Sequence, residues 1–210
     1  MTHATAVDTR AVLISAAFAC FRTQGLRKTT IVDIARTADV SRSTFYEYFR
    51  DKETIVEACA EAASQRFYRK LARTIDRHGG STLEEKLVRA GVFVTQARRV
   101  MEPESYFDQE EVSLMLTKNA STLLGECGEF LAPYVSAARL IGEVRADLDI
   151  QAATEWFARM LFSLFTTPSP CLDMGDDGVV ADFVRGFAVR GFLDDQNQAA
   201  MLPSRKKLRV

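Results

Sequence analysis

The feature that most constrains this chain is a pair of short helical segments, residues 31–37 and 42–48, separated by a short turn. Thr30 and Asp33 stand at the spacing of a capping box, which predicts where the first segment begins. Ser41 is placed to cap the second segment in the same way. Helices of about two turns are not stable alone in water, so each needs a partner to pack against. The pattern therefore predicts a helix-turn-helix supported by a third helix.

The rest of the chain also reads as helix, because apolar residues recur at spacings of three and four and strict alternation is scarce. A helix over residues 9–24 supplies the third member of the N-terminal bundle, and Gly25 ends it. A long helix from Lys52 to Arg77 spans about 39 Å at 1.5 Å per residue. The sequence thus predicts an all-α fold, in which a three-helix head containing the helix-turn-helix is joined by this long helix to a helical body.

Three segments follow from that interpretation. We expect the head at residues 1–52, the body at residues 53–195 and a polar tail at residues 196–210. The head carries eight Lys and Arg against five Asp and Glu, a charge of +3, while the remaining 158 residues carry −4. A basic head on an acidic body is compatible with docking on DNA at one end of the protein.

Composition argues against several other classes of protein. The four cysteines, Cys20, Cys59, Cys127 and Cys171, are far apart in sequence, and there are only two histidines. That spacing fits neither a disulfide framework nor a zinc site. No apolar run approaches the roughly 18 residues of a membrane span, and the first residues do not resemble a signal peptide. We therefore expect a cytoplasmic protein without a metal site.

An enzyme is the first rival hypothesis. The sequence shows no phosphate-binding glycine-rich loop, no nucleophile elbow and no histidine–acid constellation. The acidic pairs Glu84-Glu85 and Glu110-Glu111 are adjacent rather than facing, as on solvated helix faces. We expect no catalytic residues and no cofactor. A second rival, a helical interaction or small-molecule-binding protein without DNA-binding activity, stays open.

The N-terminal residues resemble the TetR family of repressors. The resemblance covers Leu13 to Ile55, about a fifth of the chain. The residues that match the family's pattern are Leu13-Ile14, Ala16-Ala17, Phe21, Gly25, Thr29-Thr30, Ile34-Ala35, Ala38, Val40-Ser41, Thr44, Tyr46, Tyr48-Phe49, Lys52 and Ile55. Asp39 departs from the family's glycine in the turn, where a left-handed residue is needed, and Ser43 departs from a common glycine in the second short helix.

The helix-turn-helix predicts which residues meet DNA, since its second helix enters the major groove with its N-terminal residues toward the bases. Arg42 can pair with guanine or bind a phosphate. Lys52, at the start of the long helix, favours a phosphate, and the resemblance implies a phosphate contact for Tyr46. The expected DNA contacts are Thr29, Thr30, Ser41, Arg42, Ser43, Thr44, Tyr46 and Lys52.

For the body, the sequence predicts two last helices, Asp149 to Thr166 and Asp177 to Phe192. The resemblance implies a cavity for a small effector and a homodimer formed by these two helices. The expected pocket residues are Phe93, Tyr106, Phe107, Met115, Leu123, Cys127, Phe130, Trp156 and Met160. They carry no charge, which favours an apolar effector. The expected dimer residues are Phe157, Leu161, Leu164, Val180, Phe183, Val184 and Phe187. The resemblance implies a repressor that binds a palindromic operator as a dimer and is released by the effector.

Overall fold

The computed structural model describes residues 8–104 and 119–193, with the side chains of residues 99–104 excepted. This part of the chain contains eight α-helices and no strand, so the predicted all-α fold is confirmed. The helices are α1 Thr9–Gln24, α2 Ile31–Thr37, α3 Arg42–Tyr48, α4 Lys52–Ile75, α5 Leu83–Glu104, α6 Ala120–Leu140, α7 Ile150–Thr166 and α8 Asp177–Phe183. A π-helical turn, Val184–Ala188, and a 3-10 turn, Arg190–Phe192, follow α8.

Contacts within the chain divide the described residues into two compact units. The first unit contains residues 8–70 and 100–104, and the second contains residues 71–99 and 119–193. The domain boundary that the sequence predicts after residue 52 stays a prediction.

The core of the first unit explains why two seven-residue helices persist there. Leu13 and Phe21 on α1, Ile34 on α2, Phe45 on α3 and Ile55 on α4 are each at most 1% exposed. Burying each such side chain contributes about 1.5–3 kcal/mol. Because α2 and α3 are too short to be stable alone, this shared core, contributed by α1 and α4 as well, holds them in place.

Side-chain caps lie at the helix starts that the sequence predicts. Thr30 Oγ1 accepts from the Asp33 amide at 3.2 Å, and Asp33 Oδ2 accepts from the Thr30 amide at 3.1 Å, which completes the capping box. Thr30 Oγ1 also donates to Asp33 Oδ2 at 2.6 Å, and this bond, followed by the one from the Thr30 amide, lowers the pKa of Asp33. Asp39 has φ 55° in the turn between α2 and α3, which confirms the left-handed residue expected there.

The second unit is built around the buried side chains Leu87, Leu131, Val135, Phe157 and Val180. Gly91 on α5 allows the π-helical turn to pack closely against that helix, since a Cβ added at Gly91 would lie 2.6 Å from Val184 Cγ2. Nearby, Arg185 Nε donates to Glu84 Oε1 at 2.8 Å, and Glu84 is only 8% exposed. The side chains of α5 and of the π-helical turn are therefore in direct contact.

Two helix ends differ from the sequence interpretation. The long helix ends at Ile75 rather than Arg77, and the Ile75 carbonyl accepts from Arg89 Nη2 at 2.8 Å. The last helix, expected to run from Asp177 to Phe192, remains α-helical only to Phe183. Beyond that residue the backbone widens into the π-helical turn.

Candidate nucleic-acid interface

The outward face of α3 is the candidate surface for DNA. Phe45 is fully buried, and the C-cap residue Phe49 is 4% exposed, so these two aromatic rings anchor the helix in the core. Arg42, Ser43, Tyr46, Glu47 and Tyr48 are exposed on the remaining circumference. Tyr48 is 45% exposed, so it lies on this outward face and not in the core.

Three hydroxyl groups cluster at the start of α3. Ser41 Oγ accepts from the Thr44 amide at 3.0 Å and lies 2.7 Å from Ser43 Oγ and 2.9 Å from Thr44 Oγ1. The cap confirms the predicted helix start. Since a hydroxyl has one donor and two acceptor sites, the cluster keeps hydrogen-bonding capacity for a further group.

Arg42 and Tyr46 are the most available of the expected contacts. Among the described residues Arg42 has no hydrogen-bond or ion-pair partner, so its guanidinium is free to bind. Tyr46 is 48% exposed, and its ring packs edge-on against Phe45 with centroids 5.6 Å apart. That contact to a fully buried ring positions the Tyr46 side chain on the surface.

Thr29 and Lys52 serve the local fold. Thr29 is 1% exposed, and its hydroxyl donates to the Gly25 carbonyl at 2.8 Å. Because it is buried, Thr29 is not accessible to DNA, and the expected contact is corrected. Lys52 Nζ donates to the Leu26 carbonyl at 2.6 Å and the Arg27 carbonyl at 3.3 Å. Lys52 thereby ties the start of α4 to the turn after α1. Thr30 stays exposed beside its capping box.

Six of the nine residues expected to line the effector pocket lie within the described part of the chain. Tyr106, Phe107 and Met115 lie outside the described residues. Five of the others are half-buried: Phe93 on α5, Leu123, Cys127 and Phe130 on α6, and Met160 on α7. The three on α6 follow the i, i+4, i+7 spacing of one helix face. Burial raises the pKa of the Cys127 thiol to about 12.

An open groove lies on another face of α6, between it and α7. Its volume is about 800 Å³. Its lining contains none of the expected pocket residues and consists of Ala120, Ser121, Leu124, Gly125, Gly128, Glu129, Ala132, Ile150, Gln151, Thr154, Glu155 and Arg159. Small side chains on α6 leave this space, a signal that was readable from the sequence and was missed. Glu155 and Arg159 form an ion pair of 2.6 Å beside it.

Burial corrects the expected dimer residues. Five of them are at most 6% exposed in the single chain, so they have almost no surface to offer a second copy: Phe157, Leu161, Leu164, Val180 and Val184. They form the core of the second unit. Phe187 is 72% exposed, and its ring lies 5.5 Å from that of half-buried Phe183. Trp156, expected in the pocket, is instead 50% exposed, with Nε1 donating to the Ala188 carbonyl at 3.3 Å.

Residues 8–104 and 119–193 show neither a metal site nor a membrane-spanning helix. No group of three His, Cys, Asp or Glu side chains there is arranged to hold a metal ion. None of the helices in these ranges has the length and apolarity that crossing a membrane requires.

Comparison with known proteins agrees with the arrangement of the first unit. Residues 13–59 match the family model described as bacterial regulatory proteins, tetR family. The transcriptional regulator TtgR from Pseudomonas putida is 38% identical over 61 residues, which are 29% of this chain and 29% of TtgR. The sequence match therefore spans less than a third of that relative.

Solved structures extend the similarity of fold to most of the chain. Salmonella enterica GusR matches with a TM-score of 0.60 and 23% identity, covering 91% of this chain and 98% of GusR. Bacillus subtilis FadR, solved in complex with stearoyl-CoA, matches with a TM-score of 0.58 and 20% identity, covering 83% of this chain and 96% of FadR. The helix-turn-helix thus lies within residues 13–59, the part of this chain that matches the tetR family of bacterial regulatory proteins.

Proposed function

We propose that this chain is a ligand-responsive transcriptional repressor that binds a palindromic operator as a homodimer and is released by a small apolar effector. The main observation that supports DNA binding is the exposed outer face of α3, which presents Arg42, Ser43 and Tyr46. The helix is anchored in the core through Phe45. The match of residues 13–59 to the tetR family supports the same function. We place this activity in the cytoplasm, where operator DNA would be found.

On the operator, α3 lies in the major groove and presents the side chains at its start to base edges and phosphates. Arg42 either reads guanine O6 and N7 or binds phosphate. Ser43 faces the base edges, and Thr30, Ser41, Thr44 and the Tyr46 hydroxyl donate to phosphates or sugars, which positions the helix without reading sequence. Of the three N–H groups of Lys52, two point at carbonyls of the preceding turn, and the third remains for a phosphate.

The proposed dimer face is built from Trp156 and Phe187, with Phe183 beside them. Aromatic side chains bury about 150–250 Å² each and dominate many interfaces. Two recognition helices must meet half-sites about 34 Å apart or a multiple of that distance, so a two-fold dimer suits a palindrome. Sedimentation at micromolar concentration tests this directly. A wild-type monomer would contradict the dimer.

The effector is proposed to contact the apolar face of α6 that carries Leu123, Cys127 and Phe130. Half-buried apolar side chains gain burial when an acyl chain covers them. FadR, with the same fold, is known in complex with stearoyl-CoA, and this supports testing long-chain acyl compounds first. Coupling of about 1–3 kcal/mol would weaken operator binding five- to 150-fold, and operator would weaken effector binding equally. Effector affinities that are the same with and without operator would contradict the coupling.

Operator selection from a randomised duplex library tests DNA binding. The wild-type chain should enrich a palindrome, and Tyr46→Phe should weaken binding to it without changing the enriched bases. Arg42→Ala should either change one base preference or reduce the salt slope of log Kobs by about one, depending on whether it contacts base or phosphate. Arg69→Ala on α4 is the matched control, because it removes the same charge from an exposed position away from α3. If Arg42→Ala and Tyr46→Phe both behave like Arg69→Ala, α3 is not the DNA-contacting helix.

A further inference from the structure

We propose that Glu47 selects the operator sequence by accepting a hydrogen bond from the N4 amino group of a cytosine in the major groove. This inference rests on the proposed function and names a residue that determines its specificity. Glu47 is absent from the contacts expected from the sequence. Its position on α3 assigns it this role.

The geometry of a seven-residue helix makes Glu47 its outermost side chain together with Ser43. At about 100° per residue, Ser43 and Glu47 each lie about 160° around the helix from Phe45. Phe45 is fully buried and marks the side that faces the core. Arg42 lies only about 60° from Phe45 on the same wheel, on the flank of the helix. Whatever groove receives α3, its floor is nearest to Ser43 and Glu47.

Glu47 is also chemically available. Its side chain is exposed, and within the described part of the chain it forms neither an ion pair nor a hydrogen bond. Two other acids of the first unit are already used: Asp33 accepts from Thr30 and Arg36, and Asp51 accepts from Arg50. The Glu47 carboxylate therefore needs a donor when water is displaced, because burying it without one is costly.

The charge of Glu47 restricts what that donor can be. A carboxylate accepts hydrogen bonds only, and the phosphates repel it. In the major groove the available donors are cytosine N4 and adenine N6. Adenine presents its N7 acceptor beside N6, whereas the cytosine edge carries N4 with no acceptor on the same base. A negatively charged oxygen therefore favours cytosine.

Replacing the carboxylate by an amide gives the sharpest test. Glutamine both accepts from N6 and donates to N7, the pairing that recognises adenine. In parallel selections, wild type should enrich cytosine at one half-site position, and Glu47→Gln should shift that position to adenine. Glu47→Ala should lose preference there and leave the other positions unchanged. Glu57→Gln on α4, an exposed acid in the same unit, controls for the change in net charge.

Titrations on single-base variants of the selected operator supply the magnitude. Replacing the cytosine should weaken wild-type binding at least about fivefold, the low end for a mismatched pair. The same base change should weaken binding by the Glu47→Ala variant much less. Identical preferences at every position in wild type and Glu47→Ala would overturn the inference while leaving DNA binding intact. A Glu47-dependent preference for a base other than cytosine would overturn the assignment to N4. A wild-type chain that enriches no sequence would overturn the proposed function itself, and this inference with it.

Discussion

Substituting Gly91 by alanine should destabilise the second unit, although alanine is the better helix former. The added Cβ would lie 2.6 Å from Val184 Cγ2, whereas carbon atoms in good contact lie about 3.5–4.0 Å apart. Val184 is fully buried and β-branched, so it cannot easily turn away. Overpacking costs about 1–3 kcal/mol, and the gain in helix propensity offsets about 1 kcal/mol of it. We expect a net loss of up to about 2 kcal/mol, a fall in Tm of up to about 8 °C.

Gly128→Ala is the matched control, because Gly128 lies within α6 and its added Cβ would meet only Thr154 Oγ1, at 3.6 Å. This substitution should stabilise the chain by about 0.5–1 kcal/mol. Urea unfolding followed by far-UV circular dichroism measures both, at one fixed protein concentration because dimerisation shifts the apparent stability.

The double variant isolates the contact. In a Val184→Ala background the colliding methyl group is gone, and the next neighbour, Leu164 Cδ1, is 3.7 Å from the added Cβ. Gly91→Ala should then stabilise rather than destabilise, a coupling of more than about 1 kcal/mol. If Gly91→Ala stabilises the wild-type chain as much as Gly128→Ala does, the close approach of α5 to the π-helical turn does not exist.

Three further outcomes are expected. Lys52→Met should lower the free energy of unfolding by about 1.5–3 kcal/mol, because the Leu26 carbonyl loses a charged donor; unchanged urea unfolding would contradict this. The pKa of folded Asp33 lies below its ordinary 3.8, so the stability that its carboxylate gives the fold is complete above pH 3.8 and is lost as pH falls through the lowered pKa. Wild type and Asp33→Asn should therefore converge in free energy of unfolding at low pH. A difference that stays constant with pH would refute the capping box. Phe187→Glu should yield a folded monomer, and dilution of wild type should shift the emission of Trp156, the only tryptophan, to the red; an unchanged sedimentation coefficient would remove Phe187 from the interface.

Local features of the first unit could be predicted from the sequence because they depend on neighbours along the chain. The Thr30–Asp33 capping box, the Ser41 cap and the left-handed Asp39 each involve residues within a few positions. Thr29 shows the limit of this reasoning. Its type and place suit a phosphate contact, but packing of the turn after α1 buries it and directs its hydroxyl to Gly25.

The second unit was harder because its helices carry apolar residues around much of their circumference. From sequence alone, Phe157 and Trp156 are equally good interface residues, yet the fold buries Phe157 and leaves Trp156 half exposed. The change to a π-helical turn after Phe183 also turns Phe187 outward while Val184 stays in the core. Glu47 is different, since its spacing from Phe45 was already readable on a helical wheel.

The most direct test of the account is the dependence of binding on half-site spacing in the selected operator. A two-fold dimer with two recognition helices requires half-sites on the same face of the duplex, one helical turn or a multiple of it apart. Inserting about 5 base pairs, half a turn, should remove the tight complex of two chains per duplex, and inserting about 10 should restore much of it. Gel mobility shift with sedimentation of the complex reads both affinity and stoichiometry. Equal affinity at all spacings, with one chain bound per half-site, would contradict the proposed dimeric operator-binding regulator.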